Sequence, residues 1–272
     1  MEKLKKFFIN GTWVNPRSDE TMAVISPSDL RQIGTVSLGN EQDVNDAVQS
    51  AKKAFTSFSK TKKKERIDLL KDLKRITERR FEDLAQAMRE EMGAPISMAR
   101  SAQADAAVGH LESFIGALAE LKERTLLDSG DILLKEPVGI CGLITPWNWP
   151  VNQIALKVIP ALATGCTCIL KPSEYTPLSA MVYTEIIEEA GYPAGVFNLV
   201  NGVGDTVGRA MSKHPEIDMM SFTGSTRAGI MVTKDSSETI KRVTLELGGK
   251  SPNIVFSDAN LERDIKLSLI HI

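Results

Sequence analysis

The stretch Val138-Gly139-Ile140-Cys141-Gly142-Leu143-Ile144-Thr145-Pro146-Trp147-Asn148-Trp149-Pro150 decides the fold. An apolar run ends in a turn rich in Pro and Trp, and an apolar helical pattern over 152–163 follows, which makes a strand–turn–helix unit. The unit repeats. Cys166–Leu170, Val196–Val200, Met219–Phe222 and Arg242–Leu245 are further short apolar runs, separated by helical patterns over 178–190, 204–212 and 226–235. Crossovers of this length bring each strand back parallel to the last. The rhythm predicts an α/β fold on a doubly wound, Rossmann-like parallel sheet, and such sheets bind ligands at the carboxyl ends of their strands.

Upstream of this unit the periods differ. Phe7–Ile9 and Thr12–Val14 flank Asn10-Gly11, a strong hairpin signal, so a small β-ribbon opens the chain. A helix over 41–56 follows, with Asn40 as its cap. The basic run Lys60–Lys64 leads into Ile67, Leu70, Leu73 and Ile76 at helical spacing and reads as a solvated helix face rather than a binding patch. Helical patterns over 81–92, closed by Gly93 and Pro95, and over 96–121 complete a helical lead-in. Between 125 and 144 period two replaces period 3.6, around the turn Asp128-Ser129-Gly130-Asp131.

Composition bounds the function classes. With 272 residues, 42% hydrophobic and 25% charged, the chain is an ordinary globular protein of one or two domains. A net charge of −2 argues against nucleic acid or an anionic membrane as partner. No run is apolar enough to span a membrane and the lysine-rich N-terminus lacks the apolar core of a signal peptide, which predicts a cytoplasmic protein. Cys141, Cys166 and Cys168 have no zinc-like spacing and alternate along strand-like runs, so they are assigned to packing, and no metal is expected.

The chemistry-bearing residues collect after the strands. Asn148 follows 138–144; Lys171, Ser173 and Glu174 follow 166–170; Gly204 and Gly208 follow 196–200; Gly224 and Ser225 follow 219–222; Glu246 closes 242–245. A cofactor laid across that edge touches each in turn. Each segment also has a plainer reading. Lys171-Pro172-Ser173-Glu174 reads equally as a turn with a capping Ser, and Ser225 as a helix cap. The glycines of 202–208 have a dinucleotide-like spacing one residue too long. Asn148 could be a buried amide that satisfies its own loop.

Four segments in this order, Pro146-Trp147-Asn148-Trp149-Pro150, Lys171-Pro172-Ser173-Glu174, Phe222-Thr223-Gly224-Ser225-Thr226 and Glu246-Leu247-Gly248-Gly249-Lys250, resemble the NAD(P)-dependent aldehyde dehydrogenase superfamily, from about Phe7 to Lys266. The resemblance implies NAD as cofactor and a small-molecule aldehyde as substrate. It implies Lys171 and Glu174 on the adenosine ribose, with Glu174 disfavouring a 2′-phosphate; Gly204 and Gly208 along the adenine end; and Ser225 on the pyrophosphate. Ile144, Pro146, Trp147, Ser173, Phe222, Gly224 and Leu247 are the remaining cofactor-contacting positions it implies, with Asn148 as oxyanion donor and Glu246 as general base.

The resemblance also divides the chain: 1–121 with 138–247 as the NAD-binding domain, 122–137 as part of an oligomerisation arm of a homodimer or homotetramer, and 248–266 as the start of a catalytic domain. The superfamily's nucleophilic cysteine lies a few tens of residues beyond the Glu-Leu-Gly-Gly motif, and this sequence has only 26 residues after Glu246. The expectation is an N-terminal piece of an enzyme that oxidises an aldehyde to a carboxylic acid through a cysteine thioester, itself inactive. Leu267–Ile272 breaks the preceding helical pattern and reads as a non-native tail, matching what a sequencing-library transposon end encodes in one frame. The alternatives are a non-catalytic NAD-binding module and a structural or regulatory protein that keeps the fold without the chemistry.

Overall fold

The Asn10-Gly11 pair makes the turn its chemistry requires. β1 (Phe7–Ile9) and β2 (Thr12–Val14) pair antiparallel around it, with Asn10 at φ 54° and Gly11 at φ 73°. The structure is a computed structural model describing residues 2–250, 252 and 254–264. A second hairpin, β3 (Thr21–Ile25) with β4 (Gln32–Ser37), escaped the periodicity because only Val24, Val36 and Ser37 of its residues are buried.

α1 (Glu41–Phe58) starts at Asn40, whose side chain accepts from Gln42 N and Asp43 N while the Asp43 carboxylate accepts from Asn40 N. α2 (Lys63–Arg79) buries Leu70, Leu73 and Ile76 and leaves its lysines outside, and α3 (Phe81–Met92) ends on Gly93 at φ 76°. The helical pattern over 96–121 is broken into α4 (Ile96–Met98), a π-helical turn at Ala99–Ala104 and α5 (Asp105–Glu120). β5 (Arg124–Leu126) and β6 (Ile132–Leu134) then form a ribbon apart from the main sheet, with Leu126, Ile132, Leu133 and Leu134 exposed.

The strand–helix units follow as the sequence predicts. They are β7 (Ile140–Ile144), α6 (Pro150–Ala163), β8 (Thr167–Lys171), α7 (Pro177–Glu189), β9 (Phe197–Leu199), α8 (Arg209–Lys213), β10 (Met219–Gly224), α9 (Thr226–Ser236) and β11 (Arg242–Leu247). A π-helical turn at Gly204–Gly208 leads into α8. Strand order is β11-β10-β7-β8-β9-β1-β2; the first five are mutually parallel, and the ribbon adds β1 antiparallel to β9. The order reverses at β7, between β8 on one side and β10 on the other. That is the topological switch point where open α/β sheets bind ligands.

The central strands β7, β8 and β9 are buried on both faces, as parallel strands between two helix layers are. Ile140, Ile144, Ile169, Met220 and Phe222 pack with α1, α8 and α9; Cys141, Leu143, Cys168 and Leu170 pack under α6, with α2, α3, α5 and α7 around it. At the edge strand β11, Val243 and Leu245 are half-buried against α9, while Arg242, Thr244 and Glu246 on the opposite face are exposed. Residues 261–264 are helical, consistent with the pattern that begins there; Ile265, Lys266 and the tail at 267–272 lie outside the described residues.

Candidate functional site

Register brings the strand ends level. Ile144 pairs with Lys171 on β8 and with Phe222 on β10, and Phe222 pairs with Leu245 on β11. Ile144, Glu174, Gly204, Gly208 and Phe222, five positions singled out from sequence, line one cleft of about 250 Å³ at this edge, on the α8–α9 face. Its other wall is α9, through Ala228, Met231 and Val232, and Arg209 and Arg227 reach it as well. Arg209 Nε donates to Asp235 Oδ2 at 3.1 Å and closes one side.

Beside the cleft, Lys171 is 2% exposed. Its ammonium donates to Pro172 O at 2.9 Å and pairs with Glu174 Oε2 at 3.2 Å. Burial holds its pKa below the usual lysine range, opposed by Glu174. Glycine has a specific reason at two points. A Cβ on Gly224 would stand 2.5 Å from Phe222 Cζ, so the phenyl ring can fold back only over a bare backbone. A Cβ on Gly204 would meet nothing within 4 Å, so that glycine keeps the cleft wall open.

Glu246 lies on the other face of the sheet. It pairs in register with Thr223, and Ser221 on the same face of β10 accepts a hydrogen bond from Lys157 Nζ of α6 at 2.9 Å. Burial pulls Lys157 down to about 8, and Glu246 opposes that shift. Among the described residues Thr223 Oγ1 is buried without a partner, which marks a place where a further polar group belongs. Asn148 precedes α6 on this same side and is exposed, so the reading of a buried, self-satisfied amide does not hold. Lys157 was detectable as the one charged residue in the apolar run Ile154–Ile159, and Thr223 stood inside a segment already quoted.

Not all the expected positions converge. Trp147, 56% exposed, and Tyr175 line a separate apolar groove of about 440 Å³ with Met92 and β3. Ser173 is buried and its hydroxyl accepts from Tyr175 N at 3.3 Å; Ser225 caps α9 by accepting from Ala228 N at 3.2 Å. Gly224 and Leu247 are register partners at the tip of β10–β11, and Pro146 stands in the turn after β7. None of these six expected positions lines the cleft.

The cysteines are elsewhere. Cys141, Cys166 and Cys168 are buried. A hydrogen bond from Cys141 brings Cys166 down to about 6 against the effect of burial, with amides of Gly139 and Val138 adding to it. A low thiol pKa alone would suggest reactivity. Position argues otherwise: Cys166 precedes β8, whose far end carries Lys171, about 16 Å away along a strand. Among the described residues, no group of three or more His, Cys, Asp or Glu could hold a metal ion, and no helix is long and apolar enough to cross a membrane.

The model of the Aldehyde dehydrogenase family matches residues 13–270. The chain is 48% identical over 269 residues to 3-succinoylsemialdehyde-pyridine dehydrogenase of a Pseudomonas species, covering 98% of this chain and 56% of that protein. A cysteine-to-alanine mutant of aldehyde dehydrogenase C from Pseudomonas syringae, crystallised with NAD+ and octanal, matches with a TM-score of 0.97 at 44% identity, covering 99% of this chain and 55% of that one. Betaine aldehyde dehydrogenase from Staphylococcus aureus, crystallised with NAD+, matches at 0.94 with 35% identity over 98% of this chain and 54% of that one. The chain thus spans little more than half the length of these relatives.

Proposed function

The chain belongs to the aldehyde dehydrogenase family, and from that premise we propose that it is the NAD-binding part of an enzyme that oxidises an aldehyde to a carboxylic acid. The observation that carries the reading is the pairing of two groups across one sheet edge. On one face the cleft ends at the Lys171–Glu174 pair; on the other stand Glu246, Thr223 and Lys157, and the loop that carries Asn148 leads into α6, the helix of Lys157.

NAD fits the residues present. The cleft between α8 and α9 suits an adenine, Glu174 offers a carboxylate to ribose hydroxyls, and the amides at the start of α9 suit a phosphate. The orphaned Thr223 hydroxyl lies on the route from there to Glu246. Bound NAD supplies the two-electron acceptor. Asn148 donates an amide N–H to the oxygen of the aldehyde as negative charge develops, a contribution on the order of 10²- to 10³-fold in rate. Glu246 takes a proton from the water that hydrolyses the thioester. In this reading the thiol belongs to the length of relatives that this chain does not span, and the cysteine-to-alanine relative captured with both NAD+ and octanal supports a cysteine in that role. The apolar β5–β6 ribbon supports association with a second copy.

The test is to titrate the chain with NAD by calorimetry and to assay NADH formation with a simple aldehyde. Weak binding without turnover is expected. Turnover lost on changing Cys141, Cys166 or Cys168 to Ser would place the nucleophile in this chain and overturn the reading. In the longer protein, Glu246→Gln should retain the first-turnover burst of NADH and accumulate acyl-enzyme; unchanged turnover removes Glu246 as the base.

A further inference from the structure

α7 begins without a cap of its own. Thr176 stands at the N-cap position, where a threonine hydroxyl ordinarily accepts from amides one turn in, yet it makes no such bond and, among the described residues, its buried Oγ1 has no partner. The amides are taken instead by Glu91, in the last turn of α3. One carboxylate oxygen accepts from Leu178 N; the other accepts from Ser179 N at 3.0 Å and from the Ser179 hydroxyl. Glu91 is 4% exposed, and its charge stands at the positive end of the α7 dipole.

Between β8 and α7 runs the turn that carries Glu174. Within it Thr176 N donates to Ser173 O at 3.2 Å and Tyr175 N to Ser173 Oγ at 3.3 Å, while Glu174 reaches back to Lys171. The turn is short and hangs between a central strand and the first turn of α7. Whatever fixes that first turn fixes where Glu174 stands.

We propose that Glu91 is a positioning residue for the Lys171–Glu174 pair, capping α7 from outside so that the pair is set to receive the ribose of a dinucleotide. The proposal rests on the cofactor reading above. An ionised carboxylate satisfies all three donors, whereas a protonated one turns a hydroxyl toward a donor and satisfies two. Burial, opposed by these hydrogen bonds, raises Glu91 to about 7, so the cap changes near neutrality. From α7 it is faced by the Ser179 hydroxyl and the two amides; among the described residues lining its groove the other ionisable side chain is Tyr175, and Gln103 of the π-helical turn bonds to Met92 beside it. No charged side chain contributes to its shift.

The test is calorimetric titration of the 272-residue chain with NAD, ADP-ribose and nicotinamide mononucleotide across neutral pH, for the wild type, Glu91→Gln, Glu174→Gln and the double variant. Wild-type affinity for NAD and ADP-ribose should fall as pH drops through about 7. Glu91→Gln should bind both about five- to tenfold more weakly in mild alkali, the scale of a lost helix cap, with no pH dependence and no further loss on the Glu174→Gln background. Nicotinamide mononucleotide, which lacks the adenosine ribose, should bind wild type and Glu91→Gln alike. Unchanged affinity in Glu91→Gln, additive losses in the double variant, or a parallel loss for nicotinamide mononucleotide would each overturn the positioning role. Should Glu91→Gln not fold, Ser179→Ala removes one of the three donors and carries the same comparison with a smaller loss. A wild-type chain that binds neither NAD nor ADP-ribose overturns the cofactor reading, and the positioning role with it.

Discussion

Replacing Gly208 with Ala should raise stability and lower cofactor affinity at once. Gly208 lies at the junction of the π-helical turn and α8 with φ −61° and ψ −43°, a conformation open to any residue. Alanine there restricts the unfolded chain and improves helix propensity, by about 0.5–1 kcal/mol. The added Cβ would stand 3.7 Å from Ile144 Cδ1 and 3.9 Å from Lys171 Cδ, ordinary van der Waals contact that the fold absorbs. Gly208 and Ile144, however, both belong to the cleft wall, so the methyl occupies space the ligand must approach. Overpacking a close-fitting site costs about 1–3 kcal/mol, or about 5- to 150-fold in Kd. The variant should therefore melt about 2–4 °C higher at most and bind NAD at least about fivefold more weakly. Thermal denaturation and NAD calorimetry on the same preparations measure both. Raised stability with unchanged affinity would show that the dinucleotide does not pass over Gly208, and a loss of stability would refute the packing argument.

Lys157, held at about 8 by burial with Glu246 opposing, releases its proton in the folded state well before its ordinary value of 10.5. The unfolded chain then binds more protons at this site between those two pH values, so Lys157 contributes stability that rises with pH across that window, by up to about 3 kcal/mol. Cys166 adds to the slope at its lower end while the raised Cys168 and Tyr183 oppose it at its upper end, so the check is the difference in urea stability between wild type and Lys157→Met, which should grow across the window. Glu174→Gln removes the charge that disfavours a 2′-phosphate, and should shift the ratio of NADP to NAD affinity toward NADP by about tenfold or more; titrations that leave the ratio unchanged would detach Glu174 from the ribose. Gly139→Ala should destabilise by about 2–4 kcal/mol, because Gly139 has φ +128° and its Cβ would stand 1.9 Å from Asp218 Oδ2, which accepts from Ile140 N; urea midpoints of wild type and variant measure it.

The parallel strands and their order in the chain were legible because both rest on local pattern. Ile140–Ile144, Thr167–Lys171 and Met219–Gly224 each differ by only a residue or two from the apolar runs read in sequence, and Gly93 and Asn40 end and start their helices as their backbone and hydrogen-bonding chemistry dictates. The β3–β4 hairpin was not legible, since one face of it is barely buried and period two carries little signal there. The break of the 96–121 helix into a π-helical turn was equally silent, because Ala and Ser residues suit either winding.

For the site, sequence alone determined which residue types stand after which strand, since a turn following an apolar run is a local feature. Only the tertiary structure decided which of those residues meet. Register set Ile144 level with Lys171 and Phe222, and the alternation of side chains across the sheet then put Phe222 into the cleft and Thr223 and Glu246 on the far face. The same alternation brought in Lys157 through Ser221, and helix packing brought in Glu91, far along the chain from the turn it caps. These last contacts join residues that no short period relates. They exist because burying a charged group demands a partner, and in a folded chain that partner is chosen by packing rather than by neighbourhood in sequence.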